Sequence, residues 1–99
     1  MSKTVIFGDF EWDEEKEKKN IEKHGYDFET GAKAFLDPKR VIFTDEKHTA
    51  IEHRFFCLGK VEGTVLAVRY ARPGRIRIIG AGSWRKEKKI YEKKNKIRS

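Results

Sequence analysis

The sequence predicts a small α+β domain covering residues 1–99 as one unit: an N-terminal strand and two helices, then an antiparallel meander, then a C-terminal helix. Three observations carry this. Ninety-nine residues suffice for one compact domain and not for two. Polar segments with helix-capping residues flank a middle made of short apolar runs separated by turn chemistry. The strands follow one another without intervening helices, an order that favours α+β over alternating βαβ units.

The elements follow in order. Val5 to Trp12 reads as a first strand interrupted at Gly8-Asp9. Asp13 is a good N-cap, Glu14 and Glu15 fall in the first turn, Lys18, Lys19 and Lys23 come late, and Gly25 terminates, all matching a helix dipole. This helix carries only Ile21 as an aliphatic residue, so it needs charge pairing or docking by Trp12 to form. Asp27 can cap a second, short helix with Phe28, Ala32 and Phe35 on one face, ended by Asp37-Pro38. Strands follow near Arg40–Thr44, Arg54–Lys60, Thr64–Ala71 and Arg75–Ala81, with turns at Val61-Glu62-Gly63 and Pro73-Gly74. Trp84 to Lys96 reads as a basic helix whose apolar points are Trp84, Ile90 and Tyr91.

Composition bounds the function. The chain is 37% hydrophobic and 39% charged, and its twelve aromatic residues make a thin core workable. Residues 1–68 hold eleven Lys and Arg against fourteen Asp and Glu; residues 69–99 hold twelve against two. The net charge of +7 therefore sits in the last third, an asymmetry that points to a polyanionic partner. The lone Cys57 lies in an apolar run and reads as a buried small hydrophobe. No apolar stretch approaches the roughly 18 residues of a membrane span, and Met1-Ser2-Lys3-Thr4 opens no signal-peptide pattern. A cytoplasmic setting without membrane contact is the expectation.

Taking Pro73-Gly74 as a two-residue loop sets Arg72 opposite Arg75 and Tyr70 opposite Arg77, with all four side chains on one face. Ala71, Ile76, Ile78, Ala67 and Val65 then form the core face, where Arg69 is the only charge. Guanidinium forks grip phosphate oxygens and aromatic rings stack on splayed bases, so such a cluster suits RNA, although a solvated sheet face would look the same. Metal-free RNA cleavage needs a base for the 2′-hydroxyl, donors for the phosphorane and an acid for the leaving 5′-oxygen. Candidate bases and acids are Lys23, His24, His48, Glu52, His53 and Tyr91; candidate charge stabilisers are Arg54, Arg75, Arg77 and Arg85. His24 could equally complement the dipole of its helix, and His53 reads as an exposed loop residue. The spacing of His48, Glu52 and His53 resembles half a metal site, but no third well-spaced ligand appears, so neither metal nor cofactor is expected. Gly80-Ala81-Gly82 reads as a plain turn, and Arg85 to Lys89 as a solvated helix face.

Phe10-Glu11-Trp12-Asp13, Lys16, Asn20 and Lys23-His24-Gly25 resemble the opening signature of the BrnT-type toxins, a family placed with the RelE-like fold. The likeness continues through Phe28, Phe35, Asp37-Pro38, Asp45, His48, Glu52, Arg54, Leu58-Gly59, Gly63 and Arg75-Ile76-Arg77-Ile78-Ile79 to Tyr91-Glu92. The resemblance implies a ribonuclease that arrests translation, acting on RNA free or on the ribosome. It also implies a cognate ribbon-helix-helix antitoxin that covers the basic surface, joining the toxin in a heterotetramer that represses its own promoter. Carried onto this chain, it assigns proton transfer to Lys23 and His24 and phosphate binding to Arg54, Arg77 and Arg85. Tyr70, Arg72, Arg75, Trp84 and Lys86 become the RNA-binding set. One departure stands out: many members continue the last strand with Ser-Ala-Arg, whereas this chain reads Gly80-Ala81-Gly82 and has no arginine at 82. Arg85 could substitute from the next turn, with Trp84 stacking on a base. The alternative is a non-catalytic RNA- or antitoxin-binding module of the same fold.

Overall fold

The computed structural model describes residues 3–48 and 52–96. They form a six-stranded sheet of order β1-β2-β6-β5-β4-β3. The strands are β1 (Thr4–Phe7), β2 (Phe10–Asp13), β3 (Val41–Thr44), β4 (Arg54–Val61), β5 (Thr64–Ala71) and β6 (Ile76–Gly82). The helices are α1 (Glu14–His24), α2 (Phe28–Lys33) and α3 (Arg85–Lys94), with 3-10 turns at Ala34–Leu36 and Glu46–His48. The expected α+β order is thus adopted, with one addition. The interruption at Gly8-Asp9 is a hairpin turn, Gly8 taking the left-handed φ of 61° that a two-residue loop requires. It splits the first strand into β1 and β2, and β2 runs parallel to β6.

The helix ends are built as the capping residues dictate. Asp13 accepts from the amides of Glu15 (2.8 Å) and Lys16 (3.2 Å), and Asp27 from that of Thr30 (2.8 Å). Gly25 closes α1 at φ 77°, its N–H reaching the Ile21 carbonyl. The shortage of apolar residues in α1 is met by polar anchors. Ile21 is exposed, whereas Asn20 is buried. Its Nδ2 donates to the Ala81 carbonyl (2.9 Å) and the Tyr26 carbonyl (2.8 Å), and its Oδ1 accepts from the Ala81 amide (3.1 Å). Glu17 accepts from the Trp12 indole (3.1 Å) and from the Phe28 amide (2.9 Å), joining β2 to the start of α2.

Both faces of the sheet carry a core. Under α1 and α2 lie Trp12, Phe28, Ala32, Cys57, Val68, Tyr70, Ile78 and Ala81. Burial pushes the Cys57 thiol up to about 12, as befits the inert packing residue expected there. Under α3 lie Leu58, Val65, Ala67 and Tyr91, with Val41, Phe43 and Phe56 at the margin. The 3-10 turn after α2 presses so closely on β4 that a Cβ at Gly59 would collide with the Ala34 carbonyl.

The β5–β6 register differs from the expected one. Tyr70 pairs with Ile78 and Ala71 with Arg77, one residue away from the two-residue-loop alignment, and a bulge lies between Arg69 and Tyr70. A one-residue slip exchanges faces. Tyr70 therefore joins Ile78 in the core, and Arg77 joins Arg69 and Ala71 on the other face. Gly80 to Gly82 are the last residues of β6 rather than a turn.

Asp37 locks α3 in place. Its carboxylate accepts from the Tyr91 hydroxyl (2.6 Å) and from the amides of Lys60 and Lys39 (2.8 Å each). Burial alone would raise the Asp37 pKa, but these hydrogen bonds outweigh it and hold the carboxyl below its ordinary value. Burial and the bond to Asp37 push the Tyr91 hydroxyl from 10.0 up to about 12.

Two outcomes are expected. Asn20→Ala leaves the Ala81 amide and carbonyl and the Tyr26 carbonyl without their partner, so urea unfolding should register a loss of about 2–4 kcal/mol; a loss under 0.5 would contradict the anchoring role. A raised tyrosine pKa contributes stability that is complete below pH 10 and lost as pH climbs towards 12. Tyr91→Phe should accordingly be less stable near neutrality yet lose less stability between pH 10 and 12 than the parent, as read from urea midpoints across that range.

Candidate functional site

β2 leaves the sheet at Asp13, so β6 beyond Ile78 has no strand on that side. α1 runs along this open edge, and the Asn20 amide takes the place of a strand by pairing with both backbone groups of Ala81. Two residues, Ser83 and Trp84, separate the end of β6 from the start of α3. Between α1, the sheet and α3 lies a cleft of about 580 Å³. α1 lines it with Lys16, Lys19, Asn20, Lys23 and His24; the sheet with Phe56, Ala67, Arg69 and Ile79 to Ala81; α3 with Trp84 and Glu87. Lys16, Asn20 and Lys23 share one helix face because they are four and three residues apart.

Gly80 is the glycine in the cleft lining, and Gly82 lies beneath the Trp84 ring. Gly82 admits no Cβ, which would strike the Trp84 ring, so the indole lies across its backbone. At Gly80 the nearest atom to an added Cβ is Asn20 Oδ1 at 3.6 Å. Trp84 is 41% exposed and meets His24 edge to face, with ring centroids 5.1 Å apart. The indole thus occupies the space above position 82, where the resembling sequences place arginine. Arg69 rises from the sheet over the Phe56 ring (5.3 Å) and lies 3.1 Å from the buried Asp45 carboxylate.

One pleat farther along the same sheet face is a second basic cluster. Arg54 and Arg77 pair with Ala71 from opposite sides, so all three point the same way. Glu52 bridges them, 3.4 Å from Arg54 Nε and 3.5 Å from Arg77 Nη1, and Glu11 lies 3.4 Å from Arg77 Nε. These separations exceed those of tight charge-assisted bonds, about 2.7–2.9 Å. The groups are partly exposed, so the pairs hold each other weakly.

The structure brings Lys23, His24 and Trp84 together in the cleft and sets Arg54 and Arg77 beside it. It does not bring the other residues of the sequence-derived set there. Tyr70 is 3% exposed, wedged between Phe35 (4.9 Å) and Phe55 (5.5 Å), so it presents no ring for a base; burial also raises its hydroxyl pKa. Arg72 is exposed at the β5–β6 turn, and Arg75 donates to the Gly8 carbonyl at 3.4 Å. Arg85 and Lys86 are exposed on the first turn of α3 and do not line the cleft. Residues 49–51, within the Asp45–Glu52 loop, lie outside the described residues. Sequence reasoning missed Arg69, Lys19, Phe56 and Glu87. Arg69 had carried a signal, an arginine in an otherwise apolar strand, but the assumed register left it alone on a core face.

The sequence model of the family described as the ribonuclease toxin, BrnT, of type II toxin-antitoxin systems matches residues 12–88. That span holds every residue lining the cleft. No curated protein matches the chain. A match over most of the length, with the cleft inside it, shows that the chain belongs to the BrnT family of ribonuclease toxins, whose substrate is RNA and whose partner is an antitoxin.

Proposed function

We propose that this chain is a metal-independent endoribonuclease that inhibits translation, with its active centre in the cleft between α1 and α3. The observation that carries the reading is the placement of Lys23 and His24, with Lys16, Lys19 and Arg69, around one cleft that has Gly80 in its sheet wall. Phosphates of a single strand can follow the lysines, and Gly80, without a side chain, lets the strand come close there. In the reaction, His24 takes the proton of the ribose 2′-hydroxyl through an unprotonated ring nitrogen. The 2′-oxygen attacks phosphorus, and the bond from phosphorus to the 5′-oxygen breaks. Lys23 delivers a proton to that oxygen, leaving a 2′,3′-cyclic phosphate and a 5′-hydroxyl. Arg77 and Arg54, beside the cleft, are the phosphate ligands in this reading, and Arg85, outside its lining, meets the strand as it leaves. At Arg77 and Arg54, an incoming phosphate exchanges places with Glu52, whose contacts at 3.4 and 3.5 Å are loose enough to release. Among the described residues no group of three His, Cys, Asp or Glu is arranged to hold a metal ion.

The cognate antitoxin is, in this proposal, a ribbon-helix-helix protein that covers the basic cleft, and the pair works in the cytoplasm on free or ribosome-bound RNA. Among the described residues no helix is long and apolar enough to cross a membrane. One observation favours a second reading, a non-catalytic RNA- or antitoxin-binding module: the arginines best placed for phosphate already face carboxylates.

Incubating the purified chain with single-stranded RNA at low salt in EDTA separates the two. The enzyme reading expects cyclic-phosphate products, with the rate falling about 10²-fold in His24→Ala and at least tenfold in Lys23→Ala and Arg77→Ala. RNA that is bound but intact, with and without ribosomes, would establish the binding module instead.

A further inference from the structure

The cleft holds a feature that phosphate binding does not use. Beside its lysines and arginine the lining holds Glu87, the single acidic side chain among the described residues there. A carboxylate repels phosphates, so at this place it suits a different part of a nucleotide. Trp84 is the N-cap of α3, Glu87 lies in its first turn, and both stand in the cleft wall. The Trp84 ring rests one side on Gly82 and one edge on His24, which hold it in place, and it remains 41% exposed. An exposed, fixed indole is a stacking platform for a nucleobase.

We propose that Trp84 and Glu87 form a base-reading subsite selective for guanine, a reading that rests on RNA being the ligand of this cleft. Guanine alone presents two adjacent donors, N1–H and the N2 amino group, and these match the two oxygens of a carboxylate. Adenine and cytosine each set an acceptor beside their amino group, and uracil flanks its single N–H with two carbonyl oxygens that a carboxylate repels. Stacking on Trp84 is common to all four bases and strongest for a purine. Selectivity therefore resides in Glu87 and affinity in Trp84. Lys16, Lys19 and Lys23 hold the flanking phosphates. Glu87 is thus a specificity-determining residue rather than a catalytic one.

Binding of short 2′-O-methyl oligonucleotides tests this independently of cleavage, because they lack the nucleophilic hydroxyl. UUGUU, UUAUU, UUCUU and UUUUU are titrated against the intact chain, and affinity is read from quenching of Trp84 fluorescence, with fluorescence anisotropy of labelled oligonucleotides as the second readout. The expected order puts UUGUU tightest, by about tenfold over UUUUU, the range of one bidentate base contact. Glu87→Gln should bring the four affinities within about twofold of one another without weakening UUUUU, since an amide offers one acceptor where guanine needs two. Trp84→Ala should weaken all four by anisotropy. Equal affinities in the parent chain, or a guanine preference that survives in Glu87→Gln, would overturn the subsite and leave the ribonuclease reading standing. Failure of all four to bind, alongside failure of cleavage, would remove both.

Discussion

The cleft exists because one amide side chain stands in for a missing strand. β2 covers β6 only as far as Ile78; beyond it the backbone of Ala81 would face an unpaired edge. Asn20 supplies a donor and an acceptor in the spacing of a peptide group and satisfies both backbone groups of Ala81 at once. Its second amide hydrogen binds Tyr26, so the same residue also fixes the turn that carries the chain from α1 towards α2. An aliphatic residue at this position would bury more apolar area and leave three polar backbone groups unpaired, each costing about 1–3 kcal/mol. Polar anchoring is therefore the stable choice, and it spares α1 the apolar face that would have filled the cleft.

That choice has an electrostatic consequence. Lys16, Lys19 and Lys23 stand on the cleft side of α1, while the acidic partners of Lys18 lie on exposed positions: Glu14 at 4.0 Å and Glu15 at 3.8 Å. The cleft-side lysines repel one another, a strain that a bound polyanion relieves. The N-terminal part of the chain is acidic in total, yet it contributes the lysines that matter most for the cleft. Net charge by segment agrees with the partner's sign, and the cleft adds lysines from the acidic N-terminal part to the basic last third.

Much of the fold was legible in the sequence because local rules decide it. Asp13, Gly25 and Asp27 mark helix ends through bonds to their own neighbours, and nothing distant alters them. The face of each residue in β6 was not legible, because it depends on a loop one residue longer than the shortest possible and on the bulge beside Arg69. The slip removed Tyr70 from the surface and brought Arg77 beside Arg54. Of the site, the α1 residues could be placed from helical spacing alone. The contribution of Phe56, Arg69 and Glu87 could not, since it follows from a sheet edge and a helix start meeting across some sixty residues of sequence.

The glycine at position 82 decides what can stand beside the cleft at the end of β6. An arginine there would project from the sheet face that the Trp84 indole now covers, and the two cannot share that space. Glycine at 82 and the indole resting over it are therefore one structural arrangement. The indole puts a flat apolar surface there, with His24 against its edge and Arg69 in the same cleft carrying charge. In the proposed RNA complex that surface offers a base contact where a guanidinium would offer a phosphate contact, and the lysines of α1 still face the strand.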